Sequence, residues 1–345
     1  MRIKLSVPGH YPEADLRQFL DSRISGTNFV LNASESGVFD AWFIFEETLP
    51  EDNKALVPRN RVFFLGAETA RPLGFYYSEP GWLDYLAQFQ AVYSPQELYT
   101  DHAHLTFPFL PWMVNANHGP ELFAAASRGI SFFQGLRTVE KTREISVFCS
   151  TKTLTPGHRV RLEFVKRLKN HFGDSLDWFG NGVNSVEEKW DGLAPYKYSL
   201  VLENQSTSYV LTEKIQDAFL SLSMPLYWGA PEASSLFPRE SFVPVNLKDF
   251  GQTVTTIANL LKKDPYQKAL PHLIEAKRVV TDELNFLTRI AGIASDPIHG
   301  VADDPSLVAI QPVNYYKNGE SSRDRFPQGL ARGLSKIRKM WPNSS

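Results

Sequence analysis

An α/β fold with parallel sheets is what this sequence predicts, and three observations predict it. Short apolar runs alternate with longer amphipathic ones, the rhythm of buried strands joined by crossover helices. Hydrophobic residues make up 43% and aromatics 13% of the chain, ample for packed cores. A length of 345 residues suggests two domains of ordinary size and a tail.

In order along the chain, "IKLSV", "NFVL", "DAWFIF" and "RVFFLG" predict buried strands joined by polar, proline-bearing connectors. After "LTFPFLPWMVN" and the helix-like "GPELFAAASRGISFFQGL", the charged stretch "RTVEKTRE" resets the pattern near residue 140. The rhythm then repeats: strand "EISVFCS", helix "HRVRLEFVKRLKNHF", strand "LDWFG", helix-like "SVEEKWDGLAPY" and strand "KYSLVLEN". A helix from Glu213, strand "MPLYWG", strand "SFVPV" and helix "DFGQTVTTIANLLKK" follow. Such alternation predicts a doubly wound sheet, with domains at 1–140 and 141–305 and a last segment at 306–345.

Bulk charge narrows the function classes. A net charge of −2 with 21% charged residues gives no general argument for nucleic acid. The single cysteine, Cys149 in "ISVFCS", excludes intrachain disulfides and a thiolate zinc cluster, and reads as a buried small hydrophobe in a reducing compartment. No stretch approaches a membrane span, so the expectation is a soluble cytoplasmic protein. Phe326, Leu330, Leu334, Ile337 and Trp341 share a helical stripe ringed by Arg332, Lys336, Arg338 and Lys339. Residues 323–341 therefore read either as a terminal helix docked on the protein or as a peripheral contact with anionic lipid.

The stretch "YVLTEKIQDAFLSL" carries the chemistry. Ile215, Ala218, Phe219 and Leu222 form an apolar stripe and Thr212 is the natural N-cap. Glu213 suits the positive end of the helix dipole, and Lys214 does not. Taken alone, Lys214 is either a solvated lysine covering apolar surface or part of an anion site at the helix start. In an open α/β sheet the loops after "CS", "FG", "LEN" and "YWG" face one crevice. They bring Arg159, Arg161, Asn181, Glu203, Asn204, Thr212, Glu213 and Lys214, a set suited to a diphosphate. Neither a Walker loop nor G-x-G-x-x-G is present, which disfavours P-loop nucleotidases and dehydrogenases. Asp303 and Asp304 in "VADDP" read as a loop, and His102 and His104 as strand-end residues lacking a third metal ligand.

"YKYSLVLENQSTSYVLTEKIQDAFLSLSMPLYWGAPE" resembles the donor-binding signature of the α-1,3/4-fucosyltransferases, glycosyltransferase family 10, soluble bacterial type. That signature runs Y-K-[FY]-x-L-x-[FL]-E-N, a polar loop, T-E-K, a helix, then P-[VIL]-x-x-G-x-P. Upstream, "RLEFVKRL" and "DWFGNG" resemble the family's preceding pair of motifs, and "FFLGAETARPLGFYYSEP" resembles its G-E-[NS]-x-x-P loop. The similarity is strong over 143–250 and thin over 60–112.

The resemblance implies a GT-B architecture: two Rossmann-like domains facing a cleft, the C-terminal one holding GDP-fucose and the N-terminal one the acceptor. It implies inverting fucosyl transfer to a hydroxyl of a galactose- or N-acetylglucosamine-type oligosaccharide or glycolipid, in α-1,3 or α-1,4 linkage, with no cofactor and no essential metal. By motif position, Glu68 is the general base and Glu213 joins it at the reaction centre while contacting donor hydroxyls. Arg161 and Lys214 neutralise the diphosphate, with Arg159 the rival of Arg161; Asn204, Tyr209 and Thr212 complete the donor site. One departure stands out. The family usually places tyrosine two residues before T-E-K, where this chain has Val210, with Tyr209 one place earlier. A different nucleotide sugar, or a silent sugar-nucleotide binder, remain the alternatives.

Overall fold

The computed structural model describes residues 1–7, 16–32, 36–46, 52–66, 81–98, 100–115 and 128–317. The first sheet is built from β1 (Arg2–Ser6), β2 (Asn28–Leu31), β3 (Ala41–Phe45), β5 (Val62–Leu65), β6 (Ala91–Ser94) and β7 (Ala103–Leu105). Its order is β2-β1-β3-β5-β6-β7, parallel throughout. "DAWFIF" and "RVFFLG" form its centre because both faces are covered, which is why they read as unbroken apolar runs. Between them β4 (Lys54–Val57) leaves this sheet. Helix α1 (Trp82–Leu86) covers one face, packing Trp82 and Tyr85 against Phe64.

The second sheet contains β8 (Arg143–Phe148), β9 (Leu176–Phe179), β10 (Tyr196–Leu202), β11 (Met224–Trp228) and β12 (Val243–Pro244). Its order is β12-β11-β10-β8-β9, again parallel. The order reverses between β8 and β10, so a crevice opens beyond the carboxyl ends of those two strands. The helices at its mouth are α3 (Pro156–Phe172), after β8, and α4 (Glu213–Leu220), after β10. Short helix α2 (Ile130–Gly135) lies ahead of β8, α5 (Ala233–Leu236) follows β11, and α6 (Phe250–Lys263) follows β12.

Two sequence expectations change, and a third lies partly outside the described residues. "SVEEKWDGLAPY" holds only a 3-10 turn, Lys189–Gly192, because the chain at Gly192 lies flat on two rings: a Cβ there would meet Phe148 Cζ at 2.4 Å. "SFVPV" shrinks to a two-residue strand, since Pro244 has no N–H to extend the ladder. In "GPELFAAASRGISFFQGL" the described helix is α2 alone, and 116–127 lie outside the described residues.

The end of the described chain returns to its beginning. Helix α7 (Tyr266–Asp282) packs on α4 and α2, and α8 (Phe286–Ser295) sets Phe286 against Phe19 and Phe45 of the first half. Arg289 donates to the carbonyls of Phe107 and Pro108 and to the Thr106 hydroxyl. Strand β13 (Ser306–Ala309) then pairs antiparallel with β4, and α9 (Val313–Lys317) rests on α1. One hydrophobic core consequently runs from Phe43 and Phe63 under the first sheet to Leu200, Ile215 and Phe219 in the second. No described helix is long and apolar enough to cross a membrane.

Candidate functional site

The crevice is lined first by the start of α3. Thr155 is its N-cap, the hydroxyl accepting from the His158 N–H at 3.1 Å, and Pro156 opens the first turn. Gly157 lets the helix start press on the loop after β10, since a Cβ there would stand 2.0 Å from the Asn204 carbonyl oxygen. One turn on, Arg161 lies in the buried stripe with Leu162, Phe164, Val165 and Leu168, and is only 6% exposed. Its Nη1 donates to the Leu202 carbonyl at 3.3 Å, and its Nε finds no hydrogen-bond partner among the described residues. A buried donor left unmade is costly, so this one marks a place where a ligand acceptor fits. Asn204, beside it, likewise carries a buried Oδ1 without a described partner. Arg159 instead points outward and donates to the Thr153 carbonyl at 2.9 Å.

Positive potential gathers here. The His158 imidazole is pushed below its usual range, by burial first and then by Arg161, Lys152 and Lys214. Burial raises the Cys149 thiol, and Arg161 alongside partly offsets that.

The second wall is the start of α4. Thr212 caps it, and the Thr212 N–H and hydroxyl donate to the Glu203 carboxylate at 3.0 and 2.8 Å. The Lys214 ammonium donates to Glu203 Oε2 at 3.1 Å and to Thr212 Oγ1 at 2.8 Å, and stands 3.3 Å from Glu213 Oε1. Burial alone would lower the Lys214 pKa, but Glu203 and Glu213 outweigh it and raise it. Burial likewise would raise Glu213, but Lys214 and Lys189 outweigh it and bring it down to about 2. The cation that the helix dipole disfavours is therefore held by two carboxylates of the chain itself. Its 23% exposed side chain is not the freely solvated lysine of the alternative reading.

Sequence reasoning missed part of this. Lys189 reaches the inner side of α4, 2.5 Å from Asp217, which also accepts from the Met113 N–H at 2.8 Å. Asp217 is fully buried; burial pushes it up to about 6, against the pull of Lys189. The signal was the i, i+4 pair Glu213 and Asp217 on a helix with an apolar stripe, which calls for a nearby cation. Glu203 was grouped with the crevice residues but given no partner.

Tyr209 takes a left-handed backbone conformation, φ 61°, its N–H donating to Glu232 Oε2 at 3.1 Å. Its ring packs 5.1 Å from Phe107, just beyond β7, while Val210 is buried. The displaced tyrosine thus spans from the second sheet to the first. A cavity of about 460 Å³ at the carboxyl ends of β11 and β12, lined by Ser206, Trp228, Gly229, Arg239 and Phe242 among others, adjoins the Glu203 loop.

The other candidates stand apart. Asn181 is exposed, its carbonyl accepting from Thr151 N–H. His102 bonds the Leu86 carbonyl, His104 stacks on Tyr93, and Asp303 exchanges two hydrogen bonds with Asn60; Asp304 is exposed. Among the described residues no three His, Cys, Asp or Glu side chains form a group able to hold a metal ion. Glu68 and residues 323–341 lie outside the described residues.

Comparison with known proteins places these elements. The family model "Glycosyltransferase family 10 (fucosyltransferase) C-term" matches residues 138–268, which include β8 to β12, α3 and α4. The alpha-(1,3)-fucosyltransferase FucT of Helicobacter pylori is 38% identical over 104 residues, 27% of this chain and 22% of that protein, so the match spans about a fifth of the relative's length. A crystal structure of an alpha1,3-fucosyltransferase is similar over 78% of this chain and 80% of its own, at 20% identity and TM-score 0.48. One with GDP covers 87% and 92%, at 20% identity and TM-score 0.46. Residues 138–268 of this chain are thus similar to the C-terminal domain of glycosyltransferase family 10, the fucosyltransferase family.

Proposed function

We propose that this protein is an inverting fucosyltransferase that moves fucose from GDP-fucose to a hydroxyl of a galactose- or N-acetylglucosamine-type glycan, in α-1,3 or α-1,4 linkage. The main support is Arg161, a buried guanidinium with an unpartnered Nε, close enough to Lys214 for the two cations to repel each other. Paired cations and a helix start fit a diphosphate, whose negative charge grows as it departs. In this reading Arg161 and Lys214 hold the diphosphate without a divalent metal, so chelation by EDTA leaves turnover unchanged. Glu213, kept ionised, accepts from donor hydroxyls, and Asn204, Thr212 and Tyr209 orient the donor. The acceptor oxygen attacks the anomeric carbon from the face opposite GDP as the carbon–phosphate oxygen bond breaks, and Glu68 takes the hydroxyl proton.

The relative's name supports the sugar and the linkage. The test measures GDP release from GDP-fucose, GDP-mannose and UDP-galactose with a panel of galactose- and N-acetylglucosamine-containing acceptors. Turnover with GDP-fucose alone is the expected result. Turnover with another donor only refutes the fucosyl reading; GDP-fucose binding without turnover on any acceptor favours a silent binder. The membrane contact of residues 323–341 belongs to the same reading: their removal abolishes co-sedimentation with anionic vesicles.

A further inference from the structure

Glu203 closes β10 on the side of α4, and its side chain is 1% exposed, running under the start of that helix. Space for it is made by Gly229. A Cβ at that position would stand 2.6 Å from Glu203 Cγ and 2.1 Å from the Tyr227 hydroxyl oxygen. The carboxylate collects three donors, namely the Thr212 N–H, the Thr212 hydroxyl and the Lys214 ammonium. A carboxylate this deep persists only when so satisfied. The same contacts act on the cation. Arg161 and the positive end of α4 both push Lys214 outward. Against them stand Glu203 and the Thr212 oxygen, with Glu213 to the side.

We propose that Glu203 is a positioning residue: a fixed negative charge that holds the Lys214 ammonium and the Thr212 hydroxyl where a sugar nucleotide's diphosphate meets them, without touching the donor itself. It rests on the donor-site reading given above. Glutamine at 203 keeps the shape but turns an N–H₂ toward groups that are themselves donors, so the ammonium is released into solvent.

The test is a double-variant cycle read by calorimetry with GDP and, separately, with guanosine, which has no phosphate. Glu203→Gln is expected to weaken GDP at least about tenfold, the penalty typical of breaking a buried charge pair, and to leave guanosine binding within about twofold. In a Lys214→Met background the further Glu203→Gln change is expected to cost GDP binding almost nothing, because no ammonium is left to hold. Losses that multiply in the double variant, an unchanged GDP affinity in Glu203→Gln, or an equal loss for guanosine each overturn the proposal. If Glu203→Gln does not fold, Glu203→Asp takes its place, keeping the charge but withdrawing it by one methylene. A few-fold loss for GDP alone is then expected, and no loss overturns the proposal. The two readings fail differently. If Lys214→Met binds GDP like the parent protein, the donor site itself is misplaced; if only Lys214→Met matters, Glu203 has no positioning role.

Discussion

Replacing Thr212 with valine removes one hydroxyl from the middle of the site and leaves the shape of the side chain unchanged. That hydroxyl makes three contacts, the Lys214 ammonium at 2.8 Å among them, and the other two set the expected loss of stability. It accepts from the Lys214 N–H as the N-cap of α4, which is typically worth about 1 kcal/mol. It also donates to the Glu203 carboxylate at 2.8 Å, and a hydrogen bond to a charged group is worth about 1.5–3 kcal/mol. No cavity forms, so the total expected is about 2.5–4 kcal/mol of destabilisation. With a urea m-value of about 3 kcal/mol/M, the unfolding midpoint falls by about 1 M. Thr212→Ser is the control, because it keeps the hydroxyl and its midpoint stays near that of the parent. Urea unfolding followed by tryptophan fluorescence reads both. A Thr212→Val midpoint within about 0.2 M of the parent would show that the hydroxyl is not the hub connecting the helix cap, the carboxylate and the ammonium, and the reasoning would fail.

Three other predictions concern different parts of the molecule. Arg161→Met removes a cation with an unmade hydrogen bond, so GDP affinity falls at least about tenfold while the unliganded melting temperature holds or rises; a thermal-shift series with and without GDP reads both. Gly157→Ala places a Cβ 2.0 Å from the Asn204 carbonyl, and the overpacking cost of about 1–3 kcal/mol exceeds the roughly 1 kcal/mol that alanine gains in helix propensity. A lowered denaturation midpoint together with weaker GDP binding is expected; an unchanged protein refutes the close packing. Burial brings the Lys141 ammonium down to about 7 while it donates to the Ala194 and Ser221 carbonyls. Between about pH 7 and its ordinary 10.5, the unfolded chain binds the extra proton, so stability rises with pH across that window. Urea midpoints at pH 7 and 9 show the slope, and Lys141→Met flattens it.

Much of this was legible in the sequence, for local reasons. "DAWFIF" and "RVFFLG" announce buried strands because every residue of β3 and β5 within them is buried. Thr212 announces a helix start because its hydroxyl and the apolar stripe behind it are both written locally. Arg161 could be separated from Arg159 only in three dimensions: two residues apart on a helix, they point in nearly opposite directions, one into the crevice and one to solvent. Glu203 and Lys214 were both visible as crevice residues, yet their contact spans a loop that carries no pattern. Lys189 was hidden for another reason, since "SVEEKWDGLAPY" has the spacing of an amphipathic helix and the flattening at Gly192 depends on two distant rings. The pairing of β4 with β13 has no local signal at all.

That last pairing bears on how the chain is made. The 249 residues from Pro58 through Ser306, the partner of Val57, must be synthesised before β4 acquires its neighbour. At about 5–20 residues per second this takes roughly 12–50 s. For most of that interval the nascent first half also lacks Phe286 against Phe19 and Arg289 against the Thr106–Pro108 segment. Until then the first half exposes apolar surface and β4 stands as a lone, unpaired strand outside the first sheet, the form most open to aggregation and to chaperones.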